Sequence, residues 1–255
     1  MRTLRWILLV GLLVAPFAQA RAQDEEKMRK MFQDAIRALG GDTYLKVKEL
    51  SSEGNYFLYN SQGDSSGLIK FNTYVKLPDK VRFELGNKKK ERDVTVFDLA
   101  AGIGWILEQP KDVRAATPEE LKAFKVDVKH DIDNILHFRW KDPNNKLFYM
   151  GPGEGDDVTL DMVQILDPDN DTVTVYFDRI SKLPAKVEYQ SVNKRGIRER
   201  NVQEFSQWHV IQGVNTPLRI DGYANKRRTF QSYAVKVDYN TSLPDSLFTK
   251  PEQPK

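Results

Sequence analysis

The chain contains no cysteine and only three histidines in 255 residues. The first absence excludes disulfides, thiolate nucleophiles, zinc ribbons and iron–sulfur clusters. The second leaves a histidine-built metal centre only if nearly all three converge. A surplus of one charge sign is also missing. Lys and Arg total 39 against 36 Asp and Glu, but Arg2, Arg5 and Arg21 lie in the first 22 residues, which hold no acid. The remainder carries 36 groups of each sign, which gives no electrostatic case for a nucleic-acid partner. Beyond the N-terminus no stretch approaches the roughly 18 apolar residues that would suit a membrane span. What is present is a core: 40% hydrophobic and 11% aromatic residues exclude wholesale disorder.

Met1–Arg5 is short and basic, Trp6–Val14 is an apolar run of nine residues, and Pro16 breaks it. Small residues follow as Ala18-Gln19-Ala20 and Ala20-Arg21-Ala22. This is the grammar of a secretory signal over residues 1–22, cleaved after Ala20 or Ala22. The apolar run is too short for about 30 Å of hydrocarbon. The expectation is an exported, periplasmic protein whose mature part, residues 23–255, forms one domain.

From Asp24 to Leu39, Met28, Met31, Phe32, Ala35, Ile36 and Leu39 recur at helical spacing, and Gly40-Gly41 supplies the stop. The period then changes to two. Short runs rich in β-branched and aromatic residues predict eleven strands. Five lie near Val47–Tyr59, Leu68–Val75, Lys80–Leu85, Asp93–Asp98 and Ile103–Glu108. Six follow near Val158–Leu166, Thr172–Asp178, Ala185–Ser191, Ile197–Gln207, Pro217–Tyr223 and Thr229–Tyr239. Between the two groups, Thr117-Pro118-Glu119-Glu120 reads as a capping box opening a short helix, and a second helix is expected at Asp131–Phe138. Lys141–Asn145 and Gly151–Asp157 read as loops. Hairpin-linked strands imply one antiparallel sheet, and a sheet this wide must curl or close. The fold class is therefore mainly β (α+β): one curved antiparallel sheet of about eleven strands, whose concave apolar face the N-terminal helix and the short inserted helices are available to fill.

Catalytic patterns fail on context. Gly63-Asp64-Ser65-Ser66-Gly67 fits G-x-S-x-G, yet a nucleophile elbow needs a helix after the serine, and a strand follows here. Asp167, Asp169 and Asp171 have the spacing of a calcium loop, but Thr172 stands where glycine is required, and Pro168-Asp169 reads as a turn. His130 and His137 are seven apart and His209 is isolated, so all three read as ordinary surface or edge residues. No nucleophile, base and orienting group fall together, so no enzyme, metal or cofactor is expected. Basic runs at Lys88–Lys90 with Arg92, Lys194-Arg195 with Arg198 and Arg200, and Lys226–Arg228 fall at hairpin tips. Solvated tips that guard sheet edges explain them, and transient contact with anionic lipid headgroups or with an acidic partner is the sharper alternative.

The strand strings carry a resemblance. LPDKVRFEL, VTVFD, GWILEQP and the PEELKAF helix resemble the first half of the LolA-like family of periplasmic lipoprotein carriers and outer-membrane lipoprotein-sorting proteins. TVTVYFDRISKLPAKVEYQ, QEFSQWHVIQGVNTPLRI and VKVDYNTSLPDSLFTKP are similar to its C-terminal strands, and AIRALGGDTYLKVKELSSEG to its opening. The resemblance implies an incomplete barrel whose apolar cavity holds the acyl chains of a lipoprotein or lipid and carries them toward the outer membrane. It further implies an inner-membrane donor and an outer-membrane acceptor protein. Lys141–Asp157 is longer and more polar than the family pattern. Candidate cavity-wall residues are Phe83, Leu85, Trp105, Leu107, Val175, Phe177, Val187 and Tyr189. The alternative is an envelope binding or sensor module of the same fold that docks a protein partner without lipid.

Overall fold

The computed structural model describes residues 24–110, 112–153, 155–157, 159–193 and 196–252. The expected signal segment and the pair Lys194-Arg195 therefore lie outside the described residues. Residues 24–39 form helix α1, which stops where Gly41 takes φ 59° and donates its N–H to the Ile36 carbonyl. A single turn, α2 (Asp42–Leu45), follows.

Among the described residues, thirteen antiparallel strands then build one sheet. The first group is β1 (Glu49–Leu58), β2 (Ile69–Lys76), β3 (Lys80–Leu85), β4 (Asp93–Asp98), β5 (Ile103–Leu107) and β6 (Arg114–Ala115). The second is β7 (Lys146–Pro152), β8 (Leu160–Leu166), β9 (Thr172–Asp178), β10 (Pro184–Val192), β11 (Arg198–Ile211), β12 (Val214–Ala224) and β13 (Arg227–Tyr239). Their spatial order is β6-β5-β4-β3-β2-β1-β13-β12-β11-β10-β9-β8-β7, so two meanders join where β1 pairs with β13 and the ends do not meet. Adjacent strands twist by about 20–25°, so a sheet this wide coils around whatever covers it. Between the meanders, α3 (Pro118–His130) and α4 (Ile132–His137) lie against the same face as α1.

Two strands go beyond the expected eleven. β6 is two residues long and pairs only at Trp105–Ala115 and Ile106–Arg114. β7 occupies a segment interrupted by Gly151 and Pro152, and its ladder carries a bulge between Tyr149 and Gly151. The capping box is present: Glu120 N–H donates to Thr117 Oγ1 at 3.2 Å, and Thr117 N–H to Glu120 Oε2 at 2.8 Å.

The inner, helix-bearing face holds the main core. Met28, Phe32, Ala35, Ile36 and Leu39 of α1 pack on Val163, Ile165, Val173, Val175, Phe177 and Val187. A smaller cluster on the outer face joins Val94, Val96, Leu107 and Trp105 to Phe248 of the C-terminal segment.

The histidine reading needs correction. His209 is exposed, but His130 and His137 are buried at 1% and 5% exposure. Each ring presents Nδ1 to the carbonyl four residues before it, Val126 at 2.7 Å and Asp133 at 2.9 Å. Each also packs on a tyrosine, Tyr189 and Tyr44 respectively. The apolar faces of two short helices, not surface chemistry, place them.

Candidate functional site

Register tells which residues share the inner face. Leu50 of β1 lies opposite Val75 of β2, which lies opposite Val81 of β3; Ser52, Thr73 and Phe83 form the next row, and Gly54, Phe71 and Leu85 the one after. Across β13 and β12, Phe230 faces Gly222, and across β11 and β10, Gln203 faces Val187. These rows run without a break from the β3 side to the β10 side.

They are not covered equally. Over β8 to β10, Val163, Ile165, Val173, Val175 and Val187 are all fully buried, and Phe32 of α1 wedges between Trp140 and Phe177. Its ring stacks on Trp140 at 5.3 Å and meets Phe177 edge-on at 5.1 Å. Over β1 to β3, Leu50, Val75, Leu77 and Val81 are only half-buried. There the sheet and the helices leave a cavity of about 290 Å³. Its roof is Phe124, Asp127 and Val128 of α3, then Asp131, the cap shared by both helices, and Asp133 and Asn134 of α4.

On the same face, Thr73 leads from this cavity toward an aromatic floor. Tyr56 stacks on Phe230 at 5.4 Å and meets Phe71 and Phe83 at 6.1 and 5.7 Å. Two glycines permit that floor. A Cβ on Gly222 would sit 2.0 Å from the Phe230 ring, and one on Gly54 1.9 Å from the Tyr233 carbonyl. From Val75 to Ile69 is six strand steps, so the half-covered track is about 20 Å long at roughly 3.3 Å per residue.

Polar contacts hold the roof. Asp131 Oδ1 accepts the N–H groups of Asp133 and Asn134 and thereby caps α4. Tyr44 Oη donates to Asp133 Oδ1 at 2.8 Å, tying α2 to α4. Loss of hydration, reinforced by the neighbouring Asp133 charge, raises the Asp131 carboxyl to about 7. At the other end, Arg139 is buried and places Nη2 2.8 Å from Asp171 Oδ2. Lys129 pairs with Asp167 and Asp171, and His130 Nε2 lies 2.9 Å from Asp171. Although burial opposes ionisation, the hydrogen bond from His130 and the charges of Lys129 and Arg139 hold the Asp171 carboxyl well below the usual range. The turn between β8 and β9, which resembles a calcium loop in spacing, thus receives basic side chains; Asp167 Oδ1 accepts the N–H groups of Asp169 and Asp171.

The eight residues marked from sequence separate into three places. Phe83 and Leu85 lie on the half-covered part of the inner face, and Val175, Phe177 and Val187 lie in the filled part. Tyr189, also inner, stacks under His130 with ring centres 4.1 Å apart. Trp105 and Leu107 point to the outer face, because the inner positions of β5 are Gly104 and Ile106, paired with Phe97 and Thr95. Cavity residues not marked from sequence include Leu50, Val75, Val81 and Phe124. The spacing of Phe124 and Val128 on α3 was the available signal for the last. Ser65 sits in the loop between β1 and β2, where its Oγ accepts the Gly67 N–H as a turn residue does.

No protein-family model matches the chain, and no curated protein matches it in sequence. Solved structures do match. A DUF1329 family protein from Desulfovibrio piger superposes with a TM-score of 0.59 at 13% identity, over 87% of this chain and 96% of that one. A LolA superfamily protein from Nitrosomonas europaea gives 0.53 at 12%, over 85% and 97%. A putative outer membrane lipoprotein-sorting protein domain from Vibrio parahaemolyticus gives 0.53 at 11%, over 89% and 97%. At these identities the likeness is one of fold alone: the chain folds as these three proteins do.

Proposed function

We propose that the chain is a periplasmic carrier that shelters acyl chains of a lipoprotein or lipid and passes them toward the outer membrane. The observation that carries this reading is the uneven cover of one continuous, mainly apolar face. One half is sealed by α1, while the other keeps a cavity and an aromatic track under a roof of two short helices. The shared fold of a lipoprotein-sorting domain supports it.

The energetics suit shelter without chemistry. Moving a 16-carbon chain out of water is worth about 12 kcal/mol at about 0.8 kcal/mol per methylene. Unaided passage through water is therefore negligible, and a carrier must offer nearly the membrane's hospitality without exceeding it, or cargo would never leave. Movement of α3 and α4 relative to the sheet would set loading and release. Donor and acceptor proteins at the two membranes belong to the same reading. Among the described residues no helix is long and apolar enough to cross a membrane.

Native mass spectrometry of the purified protein after incubation with lipopeptide-loaded vesicles tests the proposal. The expected spectrum shows one acylated species per chain, lost in Val75→Asp/Val81→Asp while circular dichroism is unchanged. A wild-type spectrum without adducts overturns it.

A further inference from the structure

Successive turns of an antiparallel meander fall at opposite ends of its sheet, so strand order decides which tips lie together. With β1 beside β13, the β1–β2, β3–β4, β10–β11 and β12–β13 turns share one end. The β2–β3, β4–β5 and β11–β12 turns share the other. The two ends differ in charge. Residues 77–79, 99–102 and 212–213, the turns of the second end, hold no lysine or arginine. At the first end, the β3–β4 turn carries Lys88, Lys90 and Arg92, and the β12–β13 turn carries Lys226 beside Arg227. Arg198 opens β11 there.

Four of these cations, Lys90, Arg198, Lys226 and Arg227, are exposed and form no ion pair among the described residues. The acids among the same tips are already engaged, Glu91 by Lys88 and Glu199 by the Asn193 amide. Farther along this end, Asp167 and Asp171 of the β8–β9 turn are matched by Lys129 and Arg139. Unmatched positive charge therefore gathers where the open half ends. From β3 to β11 is five strand steps, a rim of about 24 Å at about 4.8 Å per step.

Apolar side chains stand among these cations. Leu58, the last inner residue of β1, is 41% exposed and faces Phe230 of β13, so the aromatic floor of the track runs out to this end. Leu68, Val192 and Ile197, beside the tips, are exposed as well. A long rim of free cations suits a flat field of phosphates, which needs no partner group at a fixed position, and acyl chains beneath that field receive the apolar tips. We propose that this end of the sheet is a membrane-docking surface, at which Lys90, Arg198, Lys226 and Arg227 meet the phosphate headgroups of an anionic bilayer. The inference rests on the carrier reading for its purpose and names the end that such a carrier turns toward a membrane; the contact itself needs no cargo.

Co-sedimentation of the purified protein with cargo-free vesicles tests it. Phosphatidylcholine vesicles with about one third phosphatidylglycerol should retain the wild type, and pure phosphatidylcholine should not. Retention should vanish at about 1 M salt, where the Debye length is about 3 Å. Each cation near such a surface contributes about fivefold in affinity, so Lys90→Glu/Lys226→Glu/Arg227→Glu should bind about a hundredfold more weakly. Lys46→Glu/Lys48→Glu/Lys182→Glu makes the same change of net charge at the opposite end and should keep most of the binding. Equal retention by pure phosphatidylcholine, or equal loss in the two variants, overturns the docking surface. Absence of binding to the anionic vesicles overturns it too, and retention on polyglutamate lost only by the tip variant would then assign this end to an acidic protein. Uptake of an acyl probe without vesicle binding overturns the docking surface while the carrier reading stands. Vesicle binding without uptake of the probe overturns the carrier reading and leaves the docking surface.

Discussion

Two halves of one sheet face, built from the same alternating pattern, end in different states. Over β8 to β10 the inner residues vanish under α1, with Phe32 fully buried between Trp140 and Phe177. Over β1 to β3 the apolar residues Leu50, Val75 and Val81, interleaved with Ser52 and Thr73, stay half-buried beneath α3 and α4. The difference lies in the covering helices. α1 brings an unbroken stripe of Met28, Phe32, Ala35, Ile36 and Leu39. The roof brings only Phe124 and Val128 to the cavity, among three aspartates and an asparagine. One half is therefore sealed, and the other keeps a cavity.

The largest effect should come from the filled half. Phe32→Ala is expected to destabilise by about 4 kcal/mol in denaturant unfolding, as large aromatic truncations in sealed cores do. Affinity for an acyl probe per folded molecule should be unchanged. Loss of affinity with little loss of stability would erase the distinction between the halves. Next comes the anchor shared by roof and filled half. Arg139→Met should cost about 3 kcal/mol, because it removes one partner of a buried charge cluster holding Asp171. Faster hydrogen exchange in α3 and α4 than in α1 would show that the cluster restrains the roof.

A third expectation concerns pH. With the Asp131 carboxyl raised to about 7, the folded chain holds a proton that the unfolded chain lacks between about pH 4 and 7. That carboxyl's contribution to stability therefore falls as pH rises through this window, and it is most favourable below it. Asp133 beside it and Tyr44 behind it are the titratable neighbours concerned. Asp131→Asn should flatten the slope between pH 5 and 8 measured by thermal unfolding. The smallest stability effect belongs to the open half. Val81→Ala should cost under about 1 kcal/mol, yet weaken acyl binding about tenfold by removing two methyl groups from the wall.

Much of this was legible from alternation and caps. Eleven strands, the α1 stripe ending at Gly40-Gly41 and the Thr117 capping box all announce themselves locally. Which face a strand turns inward does not. Trp105 and Leu107 alternate as cleanly as Phe83 and Leu85, but strand register and the cover of Phe248 set them on the outer face. The bond from Tyr44 to Asp133 joins residues 89 apart, and no short-range pattern encodes it. β7 escaped because Gly151, Pro152 and a bulge interrupt its period. Asp131 is readable as a cap but not as a cavity wall, since that second role exists only once α3 lies over β1 to β3.

A carrier of the proposed kind would hold its cargo in the open half. Photocrosslinking with a diazirine-bearing acyl lipopeptide, followed by peptide mapping, tests it most directly. Adducts should fall on β1 to β3 and α3, at residues such as Tyr56, Phe71, Val81 and Phe124. Adducts confined to β8 to β10, or to the outer face around Trp105, would contradict it.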